Sequence, residues 1–532
     1  MDHNVVRTNA FSPDNHIETA NSAAGSLRVS PKILAICSFL LTFLVYLRTL
    51  APTVYTFDSA EFVTGAYSLG IVHSTGYPFY LLLSKLFTFL PVGDVAYRVN
   101  LESALWGAAT VAVLSLVCFR LTGRAWIAGG AALLLAFSHY YWPEAVIAET
   151  YTLNTLLISL LVLLLLQLNE SPRQGTAAVA GLTLGLALAN HMSSILTFPG
   201  LAFWGGVNLY RKRISLKHVI LFGVCALVGP LFYLYLPIRY AADPPLNYAK
   251  TYFDVNLTTT RGIWSWVTGE MFRAYMGGYD WSSIWPEIGS YLLWLWTNFL
   301  GAGVFMGIVG AVAMFRQERF RFFFLALLYL AYTWFFIDYR VVNKDTMFSV
   351  SYLIWTIWIA YGTLRIAGWL IPSHDFSSEI SASPLRTFAA PAVLGALAVL
   401  SLILNYTWAD QSQNRTASDF ANQLLTQVEP GAFVVTEWTW ATPLEYLQIV
   451  KGRRPDVTVF DRGLYGLAEW NRLRQEHVPD SLAFDRVEQQ LAARIQKASS
   501  DRPVYATEYD SQLSPPFLFI PTGRYYKLEP LR

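Results

Sequence analysis

The stretch from Tyr55 to Pro78 reads YTFDSAEFVTGAYSLGIVHSTGYP and follows the first long apolar segment of the chain. It contains two carboxylates, Asp58 and Glu61, a histidine, His73, and a Gly-Tyr-Pro turn. Residues three apart share one face of a helix, so Asp58 and Glu61 would point the same way if a helix begins here. Ionisable groups among membrane helices are functional-site candidates by default. We therefore interpret this loop as the first candidate site and the rest of the chain as its scaffold.

The composition is that of a membrane protein. Of the 532 residues, 54% are hydrophobic and only 14% are charged, whereas soluble domains carry about a quarter charged residues. The net charge of +2 and the lack of a basic tract argue against nucleic acid as a partner. All three cysteines, Cys37, Cys118 and Cys225, lie in apolar runs, so buried free thiols are expected.

Eleven apolar segments are candidates for membrane-spanning helices, which need about 20 residues each. They occupy residues 33–51, 96–118, 124–141, 150–168, 175–190, 194–210, 218–238, 290–314, 321–337, 347–371 and 388–408. Arginine and lysine collect in alternate loops, for example at 211–217, and such loops are cytoplasmic. The N-terminus is thus predicted to be cytoplasmic. The Tyr55–Pro78 loop, the loops 139–149, 239–289 and 338–346, and the C-terminal region are predicted to lie outside.

Three parts follow from this pattern. Residues 1–31 are polar and lack a signal-peptide core, so a disordered cytosolic tail is expected. Residues 32–408 form the predicted transmembrane domain, in which the first outer loop is 52–95. Residues 409–532 regain charge and alternate short apolar runs with helical patterns, which predicts a small α/β domain outside. The fold class is a polytopic α-helical membrane protein of about 11 transmembrane helices with a small soluble α/β domain.

The first outer loop allows more than one local interpretation. Its apolar-periodic stretches, Phe62–Leu69 and Phe79–Leu90, predict helices lying in the interface plane. Asp58 and Glu61 are compatible with an N-terminal capping box in which Thr56 or Asp58 is the cap. They are equally compatible with a general base, Asp58, supported by Glu61. Both can hold, because a cap can keep a catalytic carboxylate in place.

Further polar residues gather on the same outer face. His73 and Tyr77 lie in a turn, His73-Ser-Thr-Gly-Tyr77-Pro, that either only returns the chain to the membrane or places His73 beside a carboxylate. Glu144 and Glu149 lie at an outer membrane edge, where solvated acids in an aromatic belt are an equally good interpretation. His191 ends another span on this side, as an exposed helix end or as part of the same cluster.

Two outer-face cations, Arg239 and Arg340, complete the candidates. They either extend to the lipid headgroups or bind a lipid-linked phosphate, for which the forked guanidinium is well shaped. Other chemistries find no support in the sequence: it has no Cys/His cluster with zinc spacing, no Walker A loop and no Rossmann glycine pattern. We expect no metal and no cofactor.

Motifs spread in order over most of the chain resemble one known family. They are A-P-T at 51–53, D-S-A-E-F at 58–62, G-I-V-H-S-T-G-Y-P at 70–78, W-P-E-A-V-I-A-E-T-Y-T-L-N at 142–154, N-H-M at 190–192, Y-L-P-I-R-Y-A-A-D-P-P-L-N at 235–247, P-L-E-Y at 443–446 and G-R-R-P-D-V at 452–457. They resemble GT-C glycosyltransferases of family 117, which include an animal endoplasmic-reticulum protein O-mannosyltransferase. The chain departs from that family at Ala60, at Ser74 and Thr75, and at Asn190, where Gly, Pro-Pro and His are usual.

The resemblance implies an inverting membrane glycosyltransferase. It would move a mannose-like hexose from a polyprenyl-phosphate donor to a hydroxyl of a protein or glycan acceptor at the extracytoplasmic or lumenal face. In GT-C enzymes an acidic residue of the first outer loop acts at the acceptor, and Asp58 matches it. Glu61 and His73 would support Asp58, while Arg239 is the first candidate for the phosphate clamp and Arg340 the second. The partners would be the lipid-linked donor, the acceptor and membrane lipids.

A transporter or flippase of lipid-linked glycans is the alternative function. It would use ionisable residues near mid-span, whereas here they gather at one face, which favours the enzyme. A degenerate member that only binds sugar-lipid is disfavoured because both acids are present. The short outer loops and the lack of a terminal retention signal favour a bacterial plasma membrane over the endoplasmic reticulum.

Overall fold

The computed structural model describes residues 29–341, 343–370, 384–513 and 516–531. The predicted N-terminal tail therefore lies almost wholly outside the described residues. The membrane part contains helices α1 (Pro31–Thr49), α2 (Asp58–Ser68), α3 (Pro78–Phe87), α4 (Val95–Thr122), α5 (Ala125–Ala136), α6 (Tyr151–Glu170), α7 (Gln174–Asn190), α8 (Phe198–Tyr210), α9 (Leu216–Ala226), α10 (Val228–Leu231), α11 (Tyr235–Ala241), α12 (Tyr248–Thr251), α13 (Thr260–Val267), α14 (Ile284–Asn298), α15 (Ala302–Gln317), α16 (Arg319–Ile337), α17 (Ser349–Leu370) and α18 (Pro384–Ala409).

Seven helical stretches among the described residues are long and apolar enough to cross a membrane. They are Pro31–Thr49, Val95–Thr122, Tyr151–Glu170, Leu216–Ala241, Arg319–Ile337, Lys344–Trp369 and Ala389–Ala409, and α14 with α15 counts as an eighth if the pair is one span. Helices α5, α7 and α8 occupy three more of the predicted segments but have only 12, 17 and 13 residues. The predicted polytopic helical fold is confirmed.

One predicted span is sharply bent. The segment 290–314 is divided between α14 and α15, whose axes are bent by 105°. The break falls at Leu300 and Gly301, which have φ angles of 53° and 64°, a left-handed conformation that a helix cannot continue through. Hydropathy alone does not detect such a break because the apolar composition runs on across it.

The two helices of the first outer loop differ in their surroundings. In helix α2 the eight residues from Ser59 to Ala66 are all buried, and the position of 62–69 in the interface plane stays a prediction. The apolar side chains of this buried part contact protein on all sides and do not form a lipid-facing stripe. Helix α3 does expose an apolar side, where Leu82, Leu86 and the following Phe89 are accessible.

The C-terminal region is an α/β domain, as predicted. It contains α19 (Thr416–Gln427), β1 (Phe433–Thr436), α20 (Trp438–Ile449), β2 (Thr458–Asp461), α21 (Arg462–Gln475), α22 (Asp480–Asp501), β3 (Val504–Ala506), β4 (Phe517–Pro521) and β5 (Tyr526–Pro530). The sheet order is β2-β1-β3-β5-β4, in which β1 runs parallel to β2 and β3, and β5 antiparallel to β3 and β4. The strand predicted at 502–507 is β3; the β4–β5 hairpin was not predicted.

This domain is seated directly on the first outer loop. Apolar side chains of α2, among them Val63, share a buried cluster with Leu424 of α19 and Leu444 of α20. At the edge of this contact, Tyr446 donates a hydrogen bond of 3.2 Å to Asp94, the residue that caps α4. Burial of apolar area contributes about 25 cal/mol per Å², so the shared cluster fixes the domain over the N-terminus of α2, where the candidate site lies.

Candidate functional site

Asp58 is the first residue of α2 and is only partly covered. Its side chain is 39% exposed. Its Oδ1 accepts a hydrogen bond of 2.8 Å from the indole N–H of Trp438, which belongs to the C-terminal domain. Its Oδ2 lies 3.9 Å from Nε2 of His73. One carboxylate oxygen is therefore held in place while the other faces the site.

Glu61 and His73 form a buried ion pair one turn along α2. Glu61 has no accessible surface. Its carboxylate accepts the backbone N–H of His73 at 2.5 Å and the Nδ1–H of the same residue at 2.5 Å. Among the described residues α2 has no side-chain cap, so the capping-box interpretation was wrong. A buried carboxylate is stable only when it is paired and hydrogen-bonded. Glu61 finds both conditions at His73, further along the chain, and not at the N-terminus of α2.

The ion pair keeps a proton well above neutral pH. Burial lowers the pKa of His73, but the nearby carboxylates of Glu61 and Asp58 outweigh it and raise that pKa to about 9. Burial also raises the pKa of Glu61. We place the shared proton on His73, since Nδ1 then donates to Glu61 and Nε2, 3.0 Å from the Tyr77 hydroxyl, donates to Tyr77.

Tyr77 extends this chain of contacts towards His191. The Tyr77 ring lies 5.1 Å from the His73 ring and 5.5 Å from the His191 ring, centroid to centroid. Burial, with the charge of His73 adding, lowers the pKa of His191 to about 4, so His191 is neutral at pH 7. The structure thus brings together His73, Tyr77 and His191, which the sequence proposed for one site.

Glu144 and Glu149 are buried rather than solvated, with 7% and 8% of their surface exposed. The interpretation as acids in a wet aromatic belt was therefore wrong. Burial raises the pKa of Glu144 to about 8, and the charges of Asp345 and Asp58 add to the effect. Burial also raises the pKa of Glu149, and the charges of Glu144 and Asp58 add to the effect. The segment is tied to α2, because the Ser59 hydroxyl accepts the N–H of Ala148 at 3.1 Å.

Arg239 lies at the other end of α2 from Asp58. Its guanidinium donates to the carbonyls of Leu69 at 2.7 Å and Ser68 at 3.3 Å, the last carbonyls of that helix. Ten residues at 1.5 Å each separate Asp58 from Ser68, which corresponds to about 15 Å. Arg239 is thus engaged with the C-terminus of α2 and is not beside Asp58.

Arg340 is exposed, and it directly follows Tyr339, a neighbour of Asp58. Its guanidinium carbon is 4.9 Å from the centre of the Tyr279 ring, and its backbone N–H donates a hydrogen bond of 2.8 Å to the carbonyl of Tyr275. Burial raises the pKa of the adjacent Tyr339, and the charge of Asp58 adds to this effect. Arg340 is therefore next in sequence to a tyrosine whose pKa the charge of Asp58 affects.

Three residues of the site were not proposed from the sequence. Trp438 contacts Asp58, and its ring lies 5.9 Å from His73 and 5.5 Å from Tyr248. Tyr248 in turn donates a short hydrogen bond to Glu445 of α20, and burial raises the pKa of Glu445 to about 8. For Trp438 and Glu445 the available signal was an indole and a carboxylate on the helix that follows β1.

Asp58, Glu61 and His73 also have the composition of a cation site. Each offers a ligand atom, and these atoms lie within 4.8 Å of one another. Two carboxylates and an imidazole suit several divalent ions. However, Glu61 and His73 already satisfy each other by direct hydrogen bonds, so two of the three residues form an ion pair in this structure.

A cavity among the described residues lies away from these side chains. Its volume is about 400 Å³, and it lies between α6, α7, α8 and α9 with a lining that includes Leu165, Trp204, Ile214 and Phe222. His218 is the one titratable residue in that lining, and the adjacent loop carries the cations 211–217 that predict a cytoplasmic position. This apolar cavity contains none of the proposed site residues.

Comparisons with known proteins agree with the proposed family. Residues 58–214 match the family model described as the protein O-mannosyl-transferase TMEM260 N-terminal domain. The predicted resemblance is confirmed. Protein O-mannosyl-transferase TMEM260 of Mus musculus is 28% identical over 461 residues, which cover 82% of this chain and 63% of the mouse protein. The Dictyostelium discoideum protein of that name is 21% identical over 488 residues, which cover 83% of this chain and 58% of the relative. The chain thus spans about three fifths of the length of these relatives.

The fold is that of a solved GT-C-type membrane protein. The crystal structure of ArnT from Cupriavidus metallidurans bound to undecaprenyl phosphate has a TM-score of 0.56 and 14% identity, and the match covers 93% of this chain and 97% of ArnT. The same protein in the apo state gives a TM-score of 0.53. The likeness extends over the helical bundle and the C-terminal domain together, and confirms the GT-C-like fold.

The buried ion pair predicts a loss of stability at alkaline pH. The pKa of His73 is about 9 in the folded protein and about 6.5 when unfolded, so its contribution, on the order of 3 kcal/mol, is complete below pH 6.5 and disappears as the pH rises through 9. We expect the melting temperature of the detergent-solubilised protein to fall between pH 7 and 10. His73→Gln should melt lower at pH 7 and show a smaller fall.

The matched control is His477→Asn, which changes an exposed histidine of the C-terminal domain. It should keep the wild-type dependence on pH. A wild-type melting temperature that does not change between pH 7 and 10 would contradict the assignment of a proton to this pair.

Proposed function

We propose that this protein is a membrane glycosyltransferase. It moves a hexose, with mannose as the first candidate, from a polyprenyl-phosphate donor to a hydroxyl of a protein acceptor at the extracytoplasmic or lumenal face. The observation that carries the proposal is the partly exposed Asp58 carboxylate, held by Trp438 beside a buried ion pair at the outer end of the bundle. The names of the mouse and Dictyostelium relatives support protein O-mannosylation.

In the proposed reaction Asp58 is the general base. Its free oxygen, Oδ2, takes the proton of the acceptor hydroxyl as that oxygen forms a bond to C1 of the sugar. The bond between C1 and the phosphate oxygen breaks, and its electron pair leaves with the polyprenyl phosphate. Attack from the side opposite the phosphate inverts the configuration at C1. A base must lie within hydrogen-bond reach of the proton it removes, so Asp58 is suited to this role by its exposure.

The ion pair and the nearby carboxyls would set the charge around Asp58. The cationic His73 faces the Asp58 carboxylate at 3.9 Å, and Glu61 compensates the charge of His73. Burial raises the pKa of Glu144 to about 8, so this carboxyl is mostly neutral at pH 7, and burial also raises the pKa of Glu149. Neutral carboxyls do not repel an anionic lipid phosphate and can donate hydrogen bonds to the sugar or the phosphate.

For the donor phosphate we propose Arg340 as the main contact. Arg340 is exposed, and the residue before it, Tyr339, lies near Asp58. Arg239 has the lesser role of fixing the end of α2, because it is occupied by the carbonyls of Ser68 and Leu69. A forked guanidinium can bind a phosphate through two parallel hydrogen bonds and stabilise its growing charge. That ArnT was crystallised with undecaprenyl phosphate supports a polyprenyl-phosphate donor.

We further propose that the protein lies in a bacterial plasma membrane with a cytoplasmic N-terminus. The chain contains membrane-spanning helices, and the alternating loop charges support this orientation. Transport of lipid-linked glycans is disfavoured because the ionisable cluster is confined to one end of the bundle.

Replacement of the base should abolish transfer. Asp58→Asn keeps the shape and the hydrogen bond from Trp438 but cannot take a proton, so we expect the rate of transfer to fall by roughly 10²- to 10⁴-fold. The measurement uses purified protein in lipid nanodiscs, a panel of radiolabelled polyprenyl-phosphate mannose and glucose, and a membrane extract as acceptor. The control is Asp243→Asn, which removes an exposed carboxylate paired with Lys250. Equal transfer by Asp58→Asn and the wild type would remove Asp58 from the reaction.

Chelation of divalent cations should not change the rate. We propose that transfer needs no metal, because Glu61 and His73 are satisfied by each other. Transfer by wild-type protein after treatment with EDTA should equal that of the untreated protein, with or without added Mg²⁺ or Mn²⁺. If EDTA stops transfer and an added divalent cation restores it, the cluster of Asp58, Glu61 and His73 is a metal site and the proposal is wrong.

A further inference from the structure

We infer that the C-terminal domain supplies a positioning residue for the reaction: Trp438 orients the Asp58 carboxylate through its indole N–H. This inference rests on the proposed function and extends it, because it gives the α/β domain a direct part in catalysis. Trp438 is the first residue of α20 and lies 380 residues from Asp58 in the sequence.

The contact fixes one oxygen of Asp58 and leaves the other free. The indole N–H of Trp438 donates to Oδ1 at 2.8 Å, which is a normal length for a charge-assisted hydrogen bond. Tryptophan has one polar atom, a donor, so it cannot compete for the acceptor proton as a base. With Oδ1 occupied, the rotation of the carboxylate is restricted, and Oδ2 remains as the oxygen that can meet the acceptor hydroxyl.

The indole is itself held on two sides. The ring of His73 approaches it edge-on at 5.9 Å, and the ring of Tyr248 lies at 5.5 Å. Tyr248 is anchored by its hydrogen bond to Glu445, which is on the same helix as Trp438. A side chain packed between two aromatic rings keeps one rotamer, as a residue that positions another must do.

The same helix also fixes the backbone in front of Asp58. The hydroxyl of Thr442 donates to the carbonyl of Phe57 at 2.8 Å. Phe57 has a φ angle of 56°, a left-handed conformation that a phenylalanine keeps only when its surroundings enforce it. Helix α20 therefore holds both the side chain of Asp58 and the backbone turn that presents it.

The structure offers a matched control on the same helix. Trp440 is two residues further along α20 and packs on Phe420 of α19, at 4.2 Å between ring centroids. Both tryptophans are partly buried, and Trp440 packs against the apolar cluster that α19 and α20 share with α2. A loss of packing alone should therefore affect both positions, whereas a loss of positioning should affect only Trp438.

The test compares three variants with the wild type in the transfer assay: Trp438→Phe, Trp440→Phe, and the replacement of Trp438 by 3-benzothienylalanine. The last keeps the shape of the indole ring but lacks the N–H, so its folding should be unaffected. Loss of a hydrogen bond to a charged group should lower kcat about ten- to a hundredfold in both Trp438 variants. KM for donor and acceptor should stay within about twofold of the wild type, because Trp438 acts through Asp58 and not on ground-state binding.

Each outcome decides between the explanations. Wild-type kcat in the benzothienylalanine variant would overturn the inference, and so would an equal loss of kcat in Trp440→Phe. A higher KM with unchanged kcat would also overturn it, since Trp438 would then contact a substrate. If the wild type itself transfers no sugar from any donor of the panel, the proposed function fails first. Transfer by the wild type with an unaffected Trp438→Phe would leave the proposed function standing and remove only the positioning role.

Discussion

The site depends on one electrostatic constraint, the burial of the Glu61 carboxylate. A charge without access to water is strongly unfavourable unless it is paired and hydrogen-bonded. Glu61 meets this condition through two hydrogen bonds from His73, twelve residues further along the chain. The intervening segment must therefore fold back along α2, and this brings the turn with Tyr77 and the start of α3 next to Asp58.

The same return of the chain anchors a second outer loop. Ile71, just before His73, pairs with the segment at Asn247: its N–H bonds to Leu246 at 2.8 Å, and its carbonyl accepts from Tyr248 at 3.0 Å. Tyr248 then contacts Trp438 of the C-terminal domain. A few neighbouring residues thus link the first outer loop, the loop around residue 247 and helix α20. Each of these three segments contributes to the surroundings of Asp58. The membrane bundle supplies the buried charges, and the α/β domain supplies the donor that orients the exposed one.

The sequence could predict those features whose partners are near in the chain or whose signal is composition. The lengths of the apolar segments and the alternation of loop charge predicted the helical bundle. The cluster of Asp58, Glu61 and His73 was found because all three lie within 16 residues of each other. The partner of Glu61 was nevertheless misassigned, because a capping box and a forward contact to His73 have the same local sequence pattern.

Contacts between distant segments could not be predicted in this way. No local pattern connects Trp438 with Asp58 across 380 residues. Arg239 looked like a phosphate ligand because a sequence does not show whether a guanidinium meets solvent or, as here, the carbonyls of Ser68 and Leu69. The bend of 105° between α14 and α15 was missed because hydropathy reports composition and not backbone direction.

The most direct test of the account is the position of a bound lipid phosphate. A cryo-electron microscopy map of the protein in nanodiscs with polyprenyl phosphate would show it. The account predicts phosphate density at the outer end of the bundle, beside Arg340 and near the carboxylate of Asp58. Density for the phosphate at the opposite end, beside the cationic loop 211–217 and the apolar cavity of α6 to α9, with none near Asp58, would contradict it.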